Sequence, residues 1–184
     1  MADRSAARLG LLAASVLFTG LAAPAARAEV VARSAGGFQS RASLWVSRPP
    51  REAYERAVGA VARWWDPSHT YSGDASNLAL EASAGGCFCE RLSGGGSVQH
   101  LEVAYVQPGA AIRLLGGLGP LQEIGASGAL TWKFETVDDR TRVTWTYRVT
   151  GMEAADVEKL AGLVDQVLGV QLGRLARFIE TGSP

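Results

Sequence analysis

Glu90 is the residue whose position most needs a chemical reason. In Cys87-Phe88-Cys89-Glu90-Arg91-Leu92 a two-residue period puts it on the same face as Phe88 and Leu92. An ionised, unpaired carboxylate on such a face costs several kcal/mol. It must take a partner, shift its pKa upward, or serve a ligand as acid or base. Arg113 or Lys133 is the partner in reach if a bulge shifts the phase. In the ligand reading, Glu90→Gln leaves the melting temperature unchanged or raised while affinity falls. A strongly destabilised variant marks a structural partner instead. The second acid–base candidate is His69, in the loop after Trp64-Trp65. The other histidine, His100, falls on the outward face by alternation. Asp66 and Asp165 complete the acid–base inventory, with nothing in the sequence to bring them together.

Cys87 and Cys89 are the two cysteines. On a regular strand, residues i and i+2 share a face but lie too far apart for an unstrained bridge. A Cys87–Cys89 disulfide therefore needs a bulge or turn; free thiols or a pairing formed on oxidation are the alternatives. With His69 and His100 they make a poor zinc set, because Cys-x-Cys is shorter than the usual structural pair and no second close pair follows. No metal and no cofactor is expected. Gly-x-Ser-x-Gly is absent, and Gly94-Gly95-Gly96 lacks the Lys-Ser/Thr of a phosphate-binding loop.

The elements that must position these groups follow from periodicity. Residues 41–47 alternate as a strand, with Trp45 on the polar side. Pro49-Pro50 then opens a helix to about Trp64, with Ala53, Tyr54, Ala57, Val58 and Val61 on one face. Asp66 to Gly73 reads as a polar loop. From there the period becomes two, predicting strands over 77–82, 87–92, 98–106, 111–116, 129–136 and 141–149. Short Gly- or Pro-marked joints imply an antiparallel meander. Residues 154–181 form a long helix with one broad apolar face, closed by Gly182. The expectation is an α+β domain over residues 41–182: a curved antiparallel sheet of about six to seven strands around a long C-terminal helix, with ligand space between them.

Alternation also predicts the cavity lining. Phe88, Glu90, Gln99, Leu101, Tyr105, Trp132, Trp145 and Tyr147 fall in the inward phase, and Trp64, Trp65, His69 and Tyr71 lie near the mouth. An aromatic lining of this kind suits a flat or greasy ligand.

The first residues have another character. Arg4 and Arg8 precede an apolar run from Leu9 to Ala23, and Ala26-Arg27-Ala28 supplies small residues for a peptidase. This pattern predicts a cleavable signal peptide over residues 1–28, cut after Ala28, and a periplasmic or secreted protein. Residues 29–40, with a Gly pair, read as a flexible leader or an edge segment. The whole chain carries 18 basic and 18 acidic residues. That balance predicts no nucleic-acid partner, and no membrane span is expected after cleavage.

From the order strand, helix, strand meander, long helix, the chain resembles the SRPBCC superfamily, the START-like helix-grip proteins, over residues 41–182. Local matches are Ser47-Arg48-Pro49-Pro50-Arg51-Glu52-Ala53-Tyr54, Trp64-Trp65, Gly85-Gly86-Cys87-Phe88-Cys89-Glu90, Val164-Asp165 and Leu175-Ala176-Arg177-Phe178. More narrowly, Trp64 to Gly73 with Leu118-Gly119-Pro120-Leu121 is similar to exported bacterial members labelled polyketide cyclase/dehydrase-like or heat-shock-ATPase-activator-like. The resemblance implies a binding protein for a small hydrophobic or aromatic molecule. A cofactor-free cyclase, dehydratase or hydrolase using Glu90 or His69 is the alternative. A third is an envelope interaction module using the loop from Gly116 to Gly128, its protein partner unspecified. Fold alone does not choose among them.

Overall fold

Eight runs of alternating residues form one antiparallel sheet in a computed structural model that describes residues 27–184. The strands are β1 (Arg27–Ser34), β2 (Gly37–Val46), β3 (Leu78–Leu80), β4 (Cys87–Arg91), β5 (Ser97–Gln107), β6 (Ala111–Gly116), β7 (Ser127–Val137) and β8 (Arg140–Thr150). Their spatial order is β1-β2-β8-β7-β6-β5-β4-β3. The chain thus builds one edge, crosses to the other through helices α1 (Pro50–Gly59) and α2 (Val61–Trp64), and returns as a meander. The C-terminal helix α4 (Ala154–Thr181) lies across β2 and β1. The α+β architecture of curved sheet and long terminal helix is as the sequence predicts.

The reading of residues 29–40 as a flexible leader is corrected, and its alternative, an edge segment, holds. Residues 27–34 are edge strand β1, and the sheet therefore has eight strands rather than six or seven. The glycines that suggested flexibility serve a hairpin. A Cβ on Gly37 would lie 2.1 Å from the Val149 carbonyl oxygen, so β2 can approach β8 here only without a side chain. The predicted signal segment lies outside the described residues except for its last two, Arg27 and Ala28, which open β1.

The helix predicted from Pro50 to Trp64 is two pieces. Gly59 ends the first, and Ala60 leaves helical angles (φ −138°, ψ 31°) before α2 resumes. The offset delivers Trp64 into the core, where its indole N–H donates to the Ala57 carbonyl at 3.0 Å. Trp132 and Trp145 stack beneath it, 4.6 Å apart and nearly parallel, each 5.9 Å from Trp64. These rings, with Leu130, Val143 and Leu172, close the sheet against the helices as solid core. Trp45 lies on the outer face under Arg140 and Arg142. At the far end of α4, Gly182 takes the left-handed conformation (φ 82°) and its N–H returns to the Phe178 carbonyl.

Candidate functional site

Strand β5 decides the site because its phase slips twice. Against β4, Phe88 pairs with Leu101 and Cys89 with Gln99, leaving His100 as an extra residue. Against β6, Val103 pairs with Leu114 and Tyr105 with Arg113, leaving Ala104 extra. Each bulge turns every later side chain to the opposite face. His100, expected outward, is buried beside Leu101. Tyr105, expected in the cavity, is 42% exposed, lies under the Arg113 guanidinium and donates its hydroxyl to Gln107. Gln99 is exposed as well. The signal was present in the sequence: the inward residues Val98, Leu101, Val103 and Val106 are separated by steps of three, two and three, and each odd step is a bulge.

Glu90 faces inward as predicted and is 1% exposed. Its partners are neither Arg113 nor Lys133, which are exposed. His100 Nε2 lies 2.9 Å from Glu90 Oε2, the Tyr71 backbone N–H donates to the same oxygen at 3.0 Å, and the Ser72 N–H donates to Oε1. Burial alone would push the Glu90 pKa up, but these donors from Ser72, Tyr71 and His100 outweigh it and hold the carboxyl below its ordinary value. Since both oxygens only accept, Nε2 of His100 carries the hydrogen. For His100, desolvation lowers the pKa and outweighs the attraction of Glu90, so the ring is neutral near pH 7.

The loop between α2 and β3 is tied at both ends. Asp66 caps a single 3₁₀ turn (Pro67–His69) by accepting from the Ser68 N–H. Gln171, fully buried on α4, accepts from the Asp66 N–H at 2.8 Å, and its amide nitrogen lies 2.9 Å from His69 Nδ1. Five residues after Asp66 N–H reaches α4, the Tyr71 N–H reaches β4 through Glu90. A strap thus spans from helix to sheet.

Under this strap lies a cavity of about 360 Å³. Leu160, Leu163, Val164, Val167 and Leu168 of α4 form one wall, and Leu118 to Pro120 another. Trp65, His69, Tyr71 and His100 close the end. Leu118 precedes α3 (Pro120–Glu123), a short helix that sequence reading missed. Tyr147 holds this segment: its hydroxyl donates to the Gly116 carbonyl at 2.8 Å and accepts from the Leu118 N–H at 3.1 Å. Burial pushes its pKa up to about 12.

Of the residues assigned to ligand contact, Trp65, His69 and Tyr71 line the cavity. Phe88 lies behind the lining, its ring 5.1 Å from His100 and 5.2 Å from Trp65, and Leu101 is buried beside it. Glu90 reaches the cavity only through His100. Trp64, Trp132 and Trp145 are core, and Tyr147 supports a wall from behind. Sequence reasoning missed His100 and the apolar face of α4 as lining, and Gln171 as the tie between strap and helix.

Cys87 and Cys89 are bridged, although the extra residue of the β4–β5 ladder is His100 on β5 and not a bulge in β4 itself. The two Cα atoms are 5.3 Å apart, inside the range for a disulfide. Among the described residues no group of three or more His, Cys, Asp or Glu side chains is arranged to hold a metal ion.

Acid should loosen this site first. The unfolded chain binds a proton at His100 below about pH 6.5, whereas the folded state refuses it, so stability falls as pH drops from there through the lowered folded value. Glu90 adds stability that is complete above its ordinary value of 4.5 and is lost as pH falls through its lower folded one. Urea midpoints at pH 7.5, 6 and 5 are expected to decrease in that order. A midpoint flat down to pH 5 would contradict the assignment of a neutral, buried His100.

No protein-family model matches the chain, and no curated protein matches it by sequence. Solved structures do match. A conserved protein of unknown function from Enterococcus faecalis superposes with a TM-score of 0.59 at 10% identity, covering 86% of this chain and 78% of that one. The Aha1 dimer from Colwellia psychrerythraea gives 0.57 at 17% identity, covering 79% and 98%. The chain has the START-like helix-grip fold. DynU16, from the dynemicin biosynthetic locus, matches with a TM-score of 0.52 at 24% identity over 79% of this chain, which spans 48% of DynU16. At these identities the likeness is one of fold. Within this helix-grip frame, the Glu90–His100 pair and the strap above it form the polar end of the cavity.

Proposed function

We propose that the protein binds one small hydrophobic or aromatic molecule between the strap and α4. The observation that carries this reading is the cavity wall: five aliphatic side chains of α4 face Leu118 and Pro120 across open space. A core would fill such a space, since each void costs stability. Tyr71 and Leu163, 49% and 54% exposed, form an apolar rim through which such a molecule would enter. The neutral fluorophore N-phenyl-1-naphthylamine tests it. We expect saturable, one-to-one binding with blue-shifted emission; non-saturable or absent binding would refute the reading.

A second reading, a cofactor-free enzyme, draws support from the Glu90–His100 pair. A carboxylate that orients a neutral imidazole is the arrangement of a general base. The two readings separate on material co-purified with the protein: a carrier returns its ligand unchanged on incubation, whereas an enzyme converts it.

We further propose that the protein is exported and begins at Glu29 after cleavage. The Cys87–Cys89 bridge supports this, because disulfides persist in oxidising compartments. Cleavage there removes only the first two residues of β1, whose pairing with β2 continues from Glu29 opposite Arg41. N-terminal sequencing of secreted or periplasmic material should read Glu-Val-Val; a start at Met1 would refute it. Among the described residues no helix is long and apolar enough to cross a membrane.

A further inference from the structure

We propose that the cavity selects a neutral ligand bearing a hydroxyl group, an alcohol or phenol on an apolar body, through two histidines locked in opposite tautomers. This inference rests on the reading of the cavity as a ligand site.

The tautomers follow from the hydrogen-bond partners. Glu90 accepts from two backbone N–H groups as well as from His100, so no partner near it could take a carboxyl proton. It is an acceptor, and His100 must hold its hydrogen on Nε2. The remaining nitrogen, Nδ1, makes no hydrogen bond among the described residues and carries a free lone pair on a ring that lines the cavity. His69 is set the other way. The Asp66 N–H fixes the Gln171 oxygen, so the Gln171 NH₂ faces His69 Nδ1 and can only donate. Neutral His69 therefore carries its hydrogen on Nε2, which also has no partner among the described residues. One ring offers an acceptor and the other a donor at the same end of an apolar cavity.

Charge narrows the ligand further. Among the described residues no Lys or Arg lines the cavity, and the carboxylates near it are Glu123 at the wall and Glu90 behind His100. A carboxylate or phosphate ligand would meet repulsion without a counter-charge. A cation would meet the donor of His69 and an aliphatic wall, with only the solvent-exposed Glu123 as counter-charge. A hydroxyl satisfies His100 with its hydrogen, and its oxygen can accept from His69.

The test displaces N-phenyl-1-naphthylamine with four ligands of one ring system: naphthalene, 2-methoxynaphthalene, 2-naphthol and 2-naphthoate. Only 2-naphthol is a neutral O–H donor. We expect it to bind about tenfold more tightly than naphthalene or 2-methoxynaphthalene, the size of one net buried hydrogen bond, with 2-naphthoate weakest. In His100→Phe, which keeps a ring against Phe88, 2-naphthol should lose its advantage and bind no more tightly than 2-methoxynaphthalene. Comparison of 2-naphthol with 2-methoxynaphthalene on the wild-type chain decides the matter even if that variant does not fold. Equal affinity for these two, or tighter binding of 2-naphthoate, overturns the hydroxyl assignment while leaving the cavity as a ligand site. If neither the fluorophore nor any of the four binds, both readings fall.

Discussion

Glu90→Ala is expected to cost about 3–5 kcal/mol of stability, in the range for removing one partner of a buried charged pair. The reason is the number of donors left behind. The N–H groups of Tyr71 and Ser72 and the Nε2–H of His100 all point at this carboxylate, and each buried donor without an acceptor carries a penalty of about 1–3 kcal/mol. Solvent reaching the strap would relieve part of this, so the effect lies below their sum. Glu90→Gln should cost less, about 1–3 kcal/mol, because one oxygen can still accept while the NH₂ opposes a backbone N–H. Sequence alone left open a Glu90→Gln variant with unchanged or higher melting temperature. The paired geometry predicts a lower one. Chemical denaturation of both variants checks this, and a Glu90→Gln protein as stable as wild type would show that the carboxylate is not the anchor of the strap.

Val167→Trp is expected to remove binding of N-phenyl-1-naphthylamine by on the order of a hundredfold, while the melting temperature stays level or rises. Val167 is half-buried on the cavity wall, so a larger side chain extends into open space rather than into packed neighbours. An indole placed there gains apolar contact, which favours the folded state. The same indole occupies the volume a ligand needs, and displacing it costs about 1–3 kcal/mol as overpacking does. The paired readout separates occlusion from damage. Lost binding together with a large drop in melting temperature would point to misfolding, and retained affinity would place the probe elsewhere.

The fold was legible because its signals are local. The switch from helical to two-residue period after Gly73 marked the meander, and Leu160, Val164, Leu168, Leu172 and Leu175 marked the buried face of α4. Glu90 could be placed inward for the same reason: β4 is short and keeps its phase. The choice between leader and edge stayed open because a Gly pair is equally a flexible link and a tight hairpin, and only the closeness of Val149 to Gly37 distinguishes them.

The site depended on what lies far apart in the chain. A bulge is a mismatch between two strands, so reading β5 by alternation alone kept His100 out and Tyr105 in. The aromatic residues of β7 and β8 do face inward, but Trp64 arrives from α2 and fills the space above them, making core where a cavity was expected. The open volume lies instead where α4, the strap and the segment pinned by Tyr147 fail to meet. Gln171 acquires its role from Asp66 and His69, 105 and 102 residues away. Sequence by itself determined which side chains must leave water, because hydrophobic periodicity is a property of each segment. Tertiary structure decided which polar groups meet, because strand register and helix placement are set by packing between segments and not within them.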